Sequence, residues 1–169
     1  GKSVCKADQV LWMRTLNEKG WLAASWPVEH GGTGWNAVQK HIFDEECSVA
    51  GAPRIVPFGV NMVGPVIIKF GTDEQKAHYL PRIINGTDFW CQGDSEPGAG
   101  SDLASLKTKA ERKDNGWVLN GAKIFISNAD RAQYGSGFAR TDSSKGRAGE
   151  TLVPTPQPDK DGHRFHLLL

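Results

Sequence analysis

Between Trp90 and Leu106 the chain reads WCQGDSEPGAGSDLASL, and the apolar pattern differs on its two sides. Downstream, Leu106, Thr108 and Ala110 alternate with Lys107, Lys109 and Glu111, the period of two expected of a half-buried strand; upstream, apolar residues recur at helical spacing. The stretch is therefore a junction between a helical half and a β half. Its glycines permit positive φ and close backbone approach, so their amides, with the Ser95 and Ser101 hydroxyls, can donate to carbonyl or phosphate oxygens of a ligand. A polar, glycine-rich platform beside aromatic residues suits a flat heteroaromatic cofactor. The same composition also suits an ordinary inter-domain loop, because Gly, Pro and Ser dominate turns for purely conformational reasons.

Generic site motifs do not resolve the choice. A dinucleotide fingerprint beginning at Gly98 needs glycine where Leu103 stands, and it follows a strand rather than preceding one. The nucleophile elbow fails at Pro97, and no phosphate-binding G-x-x-x-x-G-K-S/T is present.

Upstream, Val4, Ala7, Leu11, Trp12 and Leu16 predict a helix that ends at Lys19-Gly20. WPVEHGGTGWN, residues 26–36, is a turn-rich connector, and Asn36 caps a second helical pattern carrying Val38, Ile42 and Val49 up to Gly51. A third apolar segment, Val60 to Phe70, contains Gly64-Pro65; proline is best accommodated at a helix start, so a break is expected before it. Thr72 and Gln75 have the form of a capping box, opening a helix through Ala77 and Leu80, kinked at Pro81 and ending near Asn85-Gly86.

Downstream, KDNG, residues 113–116, makes a turn. Trp117-Val118-Leu119 and Ile124-Phe125-Ile126 then flank Asn120-Gly121, and an Asn-Gly pair between β-rich runs is the strongest short-range hairpin signal. The second half is expected to start as an antiparallel meander, with Trp117 and Phe125 in the hairpin core. From Thr141 to Gly162 the chain is rich in Gly, Pro, Ser, Thr and charges, and only ETLV (150–153) and FHLLL (165–169) read as short strands, so a poorly structured tail is expected.

With 169 residues, 38% of them hydrophobic, the chain can bury a core, and 20 basic against 19 acidic residues leave no excess to attract nucleic acid or an anionic membrane. Neither partner is expected. Cys5, Cys47 and Cys91 lack a C-x-x-C pair, which argues against a disulfide framework or zinc site and for buried thiols in a reducing compartment. That compartment is the cytoplasm, or the mitochondrial matrix if a eukaryotic precursor lost a targeting segment. His163 and His166 lack a third ligand and read as solvent-facing, so no metal is expected. Asn85-Gly86-Thr87 is a glycosylation sequon by form but reads as a helix exit.

The residues also resemble a known family. WCQGDSEPGAGSDLASLKTKAE, residues 90–111, is similar to the signature segment of flavin-dependent acyl-CoA dehydrogenases. GWLAASWPVEHGGTGW (20–35) and FGTDEQKAHYLPRIINGTD (70–88) upstream, and GWVLNGAKIFISNA (116–129) downstream, follow in the family's order and spacing. The resemblance covers about Leu11 to Asp142 and implies an α+β fold. Residues 1–89 would form an amino-terminal helical, bundle-like domain; residues 90–142 a partial antiparallel, barrel-like β domain with the flavin loop; and residues 143–169 an atypical tail. The family's carboxyl-terminal helical domain, which bears the glutamate base, would be absent, so the resemblance assigns no catalytic residue here.

Implied functions follow from the same likeness: FAD as cofactor, α,β-dehydrogenation of an acyl-CoA thioester as in fatty acid metabolism, a homo-oligomer, and an electron-acceptor flavoprotein as partner. Carried over by position, Gln92, Asp94 and Ser95 line the flavin, with the Ser95 hydroxyl and nearby amides as donors to the ring. Ser101 matches a serine at the cofactor and acyl-CoA site. Phe125 and Ser127 match an aromatic and hydroxyl pair beside the isoalloxazine, where the family commonly has tryptophan; Phe125 can stack but lacks an indole N–H. Two departures stand out. Asp94 replaces a usually apolar residue, putting a carboxylate where its burial is costly, and after Asp142 the sequence leaves the family's apolar strand pattern. Two readings result: an acyl-CoA dehydrogenase-like oxidoreductase chain lacking its base, or a non-catalytic truncated fragment acting as a structural or interaction module.

Overall fold

A computed structural model describes residues 5–113, 116–156 and 167–168. The chain divides into two compact units, with the division between Asp88 and Phe89. Helices make up the first and a mixed sheet organises the second, an α+β fold.

The helical unit contains α1 (Lys6–Glu18), α2 (Ala37–Val49), α3 (Gly64–Phe70) and α4 (Asp73–Ile84). Its starts and stops follow local chemistry. Gly20 closes α1 at φ +69°, a conformation glycine adopts without steric cost. Both reciprocal bonds of a capping box are made by Asn36 with Gln39 at α2 and by Thr72 with Gln75 at α4, satisfying amides the helix leaves unpaired. Helix α4 runs through Pro81 to the Asn85 cap, and Arg82 then holds the buried Asp88 with two bonds of 2.6 and 2.8 Å. The core collects Met13, Leu16, Leu22, Trp26, Val60, Val63, Ile67, Leu80 and Ile83.

Periodicity misplaced part of that core. In α2 the apolar Val38, Ile42 and Val49 are exposed, Val49 to 88%, and no residue of the helix is buried. Leu11 of α1 is likewise exposed. A 3.6-residue period reports that a face is apolar, not what covers it.

The expected break before Gly64-Pro65 does not occur. A π-helical turn, Phe58–Val63, runs directly into α3, and the Gly64 N–H donates to the Gly59 carbonyl five residues back. In that register residue 65 would serve the Val60 carbonyl, but proline has no N–H. The Trp26 indole Nε1–H fills the gap, donating to Val60 O at 2.7 Å. The indole fits because residue 64 is glycine: a Cβ there would lie 2.1 Å from Trp26 Cζ2.

In the second unit the strands are β1 (Trp90–Gln92), β2 (Lys109–Lys113), β3 (Gly116–Asn120), β4 (Tyr134–Arg140), β5 (Glu150–Pro156) and β6 (Leu167–Leu168). The order is β1-β4-β2-β3-β6, with β5 on β4. Strands β2 and β3 pair antiparallel, whereas β4 takes β1 and β2 parallel and β5 antiparallel along its whole length. This is a mixed sheet rather than the expected meander. Trp117 and Leu119 pack on the buried cluster of Ala110, Ala139 and Val153.

Asn120-Gly121 does not turn a hairpin, because Ile124–Ile126 forms no strand. Gly121 serves close approach instead: a Cβ there would lie 2.2 Å from Thr108 Oγ1. Phe125 and Asn128 stand at positive φ, and the Phe125 ring is 92% exposed, outside any core. The region expected to be poorly structured supplies a 3₁₀ segment, Ser143–Gly149, and the short strand read at ETLV extends to Pro156 as β5, paired with β4. His163 and His166 lie outside the described residues. Of the thiols only Cys91 is buried; Cys5 is exposed and Cys47 intermediate. Among the described residues no helix is long and apolar enough to cross a membrane.

Candidate ligand-binding loop

The loop leaves β1 at Gln92 and runs to Leu106, three residues before β2 begins at Lys109. Its first turn is fixed by main chain: the Gly93 N–H donates to Ser136 O at 2.7 Å, and Gly93 O passes so close to Gly137 that a Cβ there would lie at 2.3 Å. Glu96 and Ala99 then exchange both amide bonds, at 2.8 and 3.1 Å, closing a tight turn around Pro97-Gly98. Arg140 seals the far end, with one guanidinium nitrogen on the carbonyls of Ala104 and Leu106 and on Glu150.

Glu96 and Lys123 anchor the middle. The buried Glu96 carboxylate accepts from the N–H groups of Lys107 (2.6 Å) and Thr108 (3.0 Å) and from Lys123 Nζ (2.9 Å). Burial by itself raises its pKa; the Lys107 and Thr108 amides and the Lys123 ammonium outweigh it and hold the group down at about 2. Glu96 is thus an anion throughout the physiological range. Lys123 Nζ also donates to the carbonyls of Asp94 (3.1 Å) and Phe138 (2.8 Å), and the next amide, Ile124 N–H, donates to Ser95 O at 2.9 Å.

Of the six residues singled out from sequence, these bonds gather Gln92, Asp94 and Ser95 directly and tie in the segment carrying Phe125 and Ser127. Gln92 Nε2 donates to Asp94 Oδ2 at 2.7 Å, while Asp94 Oδ1 is buried with no hydrogen-bond partner among the described residues. The Asp94 carboxyl therefore folds into the protein. Burial raises its pKa, and Gln92 and Lys123 offset only part of this. The half-buried Ser95 hydroxyl has no partner among the described residues, and Ser127 and the Phe125 ring are exposed. Ser101 is exposed in the outer limb of the loop and is not tied to the others.

Sequence reading missed Glu96, Lys123, Gly121 and Gly137. Glu96 and Lys123 lie 27 positions apart, and no periodicity links them. The two glycines were read, if at all, as turn formers, whereas each admits another segment's atoms at a distance no side chain tolerates. Chemically, the loop offers the half-buried Ser95 hydroxyl and the neighbouring 123–127 segment offers an exposed aromatic ring, with the buried Glu96–Lys123 pair already satisfied.

Comparison with known proteins agrees with this architecture. Residues 5–87 match the acyl-CoA dehydrogenase N-terminal domain and residues 91–166 the acyl-CoA dehydrogenase middle domain. Acyl-CoA dehydrogenase IpdE1 of Mycobacterium tuberculosis is 44% identical over 151 residues, covering 87% of this chain and 39% of that protein. A solved steroid ACAD, Tcur3481-Tcur3483, superimposes with a TM-score of 0.78 at 39% identity, over 87% of this chain and 38% of that one. In the ChsE4-ChsE5 complex of Mycobacterium tuberculosis, one chain matches with a TM-score of 0.79 at 35% identity, over 95% of this chain and 45% of its own length. The present chain thus spans less than half the length of these relatives.

Proposed function

Because the chain belongs to the acyl-CoA dehydrogenase family, we propose that the Gln92–Leu106 loop holds the isoalloxazine of FAD and that the chain contributes this flavin-facing half to α,β-dehydrogenation of an acyl-CoA thioester. The observation that carries the reading is the Ser95 hydroxyl, left without a partner among the described residues on a backbone held at Asp94, Ser95 and Glu96 by residues 123 and 124. An unpaired hydroxyl on a rigid support is a preorganised donor, costing little reorganisation when a ligand arrives. The residues fit the group. Ser95 and Ser127 would donate to the ring's heteroatoms, Phe125 would stack on its face, Ser101 would meet the cofactor or the thioester, and Gln92 would hold the Asp94 carboxyl away from the ring.

Bound FAD supplies the hydride acceptor. The chain's own residues bind and orient it, and neither nearby carboxylate is poised to take the α-proton. Glu96, at a pKa of about 2 and enclosed by three donors, is too weak a base, and Asp94 is turned into the protein. The steroid ACAD likeness makes a steroid-bearing CoA thioester the first substrate to assay, and the ChsE4-ChsE5 complex makes a second dehydrogenase chain, alike or different, the first partner to test.

The test is a titration of FAD with the purified chain and with Ser95→Ala, followed by quenching of flavin fluorescence. Loss of one hydrogen bond predicts an affinity several-fold to about tenfold weaker for the variant. Equal affinities remove Ser95 from the site, and no binding by either protein returns the chain to a structural or interaction module.

A further inference from the structure

Lys123 has three ammonium protons and three acceptors: Asp94 O at 3.1 Å, Glu96 Oε1 at 2.9 Å and Phe138 O at 2.8 Å. Two of these belong to the residues flanking Ser95, and the third belongs to β4. The following amide, Ile124 N–H, takes the carbonyl of Ser95 itself. Residues 94–96 are thus gripped from one side by the consecutive residues 123 and 124, and the Ser95 hydroxyl is the group left over.

Stability alone is a weak reason for this arrangement, because a buried ion pair is often no more stabilising than apolar residues of the same volume. Two of the three bonds go to main-chain carbonyls, so they dictate where the backbone runs. Gly121, two positions earlier, brings the segment against Thr108 at a distance only glycine allows, which brings Lys123 within reach of the loop.

We propose that Lys123 is the positioning residue of the flavin loop: its ammonium sets the path of residues 94–96 and thereby the placement of the Ser95 donor. The proposal rests on the reading that this loop holds FAD. Because Lys123 acts through the Ser95 donor, whose own loss is worth several-fold to about tenfold in affinity, K123M is expected to weaken FAD binding by a factor in that range.

The test compares the full chain with K123M and K123R in three measurements: FAD affinity, the band shape of the bound flavin in the visible spectrum, and amide hydrogen exchange. In K123M the expected results are weaker binding, a bound spectrum shifted towards that of free flavin, and exchange at the Ile124, Lys107 and Thr108 amides faster by about tenfold or more, with the β4–β5 ladder unchanged. K123R, which keeps the charge and donors, should recover part of each. Wild-type affinity and band shape in K123M overturn the proposal, as does unchanged exchange at those three amides. If the wild-type chain binds no FAD, the flavin reading fails, and hydrogen exchange alone decides whether Lys123 sets the loop. Should K123M not fold, E96Q keeps side-chain volume while removing the anion, and must show the same direction of change in all three measurements.

Discussion

Replacing Gly64 by alanine sets two quantifiable effects against each other. In a helix interior alanine is favoured over glycine by about 1 kcal/mol, so propensity alone predicts a more stable protein. Against this, the new Cβ would stand 2.1 Å from Trp26 Cζ2 and 2.9 Å from Cε2, both parts of a ring that is 5% exposed. The indole cannot swing aside freely, because its Nε1–H serves the Val60 carbonyl that Pro65 leaves unserved. Forcing extra volume into a packed core costs about 1–3 kcal/mol, and stranding a buried carbonyl costs about 1–3 kcal/mol more. The clash wins, and Gly64→Ala should destabilise the helical unit by roughly 2 kcal/mol or more. Trp26→Phe removes Cζ2 and the N–H together, so it also destabilises, but it vacates the space the alanine methyl needs. The double variant should therefore be less destabilised than the sum of the singles, by an amount within the roughly 0.5–3 kcal/mol usual for residues in contact. Urea unfolding followed by far-ultraviolet circular dichroism, a helical signal, measures all four corners of the cycle. A Gly64→Ala protein as stable as wild type, or strictly additive effects, would refute the account of the π-to-α junction.

Two further predictions concern titration in the β unit. The Glu96 pKa is depressed from its ordinary 4.5 to about 2, so its stabilisation is fully present above pH 4.5 and is lost as pH falls from 4.5 through 2. The difference amounts to roughly 3 kcal/mol. The stability gap between wild type and E96Q, read by urea unfolding with pulsed hydrogen-exchange labelling of residues 89–113, should close across that window; a gap independent of pH would contradict the assignment. The Asp94 pKa is shifted the other way, above its ordinary 3.8, so the folded chain holds this proton more tightly than the unfolded one and loses stability as pH rises past 3.8. Asp94→Asn keeps an acceptor for Gln92 and removes the buried charge, so it should be more stable than wild type at neutral pH, with the advantage fading below pH 3.8. A less stable variant at neutral pH would show that the charge is compensated by its surroundings.

Where local chemistry decides, sequence and structure agree. The cap at Asn36, the capping box at Thr72, the stop at Gly20 and the inward alternation of Leu106, Thr108 and Ala110 were all legible, because each depends on residues within a few positions of one another. What was not legible depends on partners distant in sequence. Pro65 reads as a break until Trp26, 34 positions before Val60, supplies the missing donor to the Val60 carbonyl. Asn120-Gly121 reads as a hairpin until Thr108 occupies the space beside Gly121. Residues 150–153 read as a short strand, but neither its extension to Pro156 nor its pairing with β4 was legible. At the candidate loop, the resemblance singled out Gln92, Asp94 and Ser95 by position, but the Glu96–Lys123 pair that ties residues 94–96 to residue 123 was not legible. Asp94, expected against the ligand, is drawn inward by Gln92.

The claim on which the functional reading stands is that the Gln92–Leu106 loop is a flavin cradle. Its most direct test is the visible absorption spectrum of the purified chain after mixing with FAD and gel filtration to remove the excess. The account predicts flavin co-eluting with the protein and a band shape altered from that of free FAD; a colourless protein fraction would contradict it.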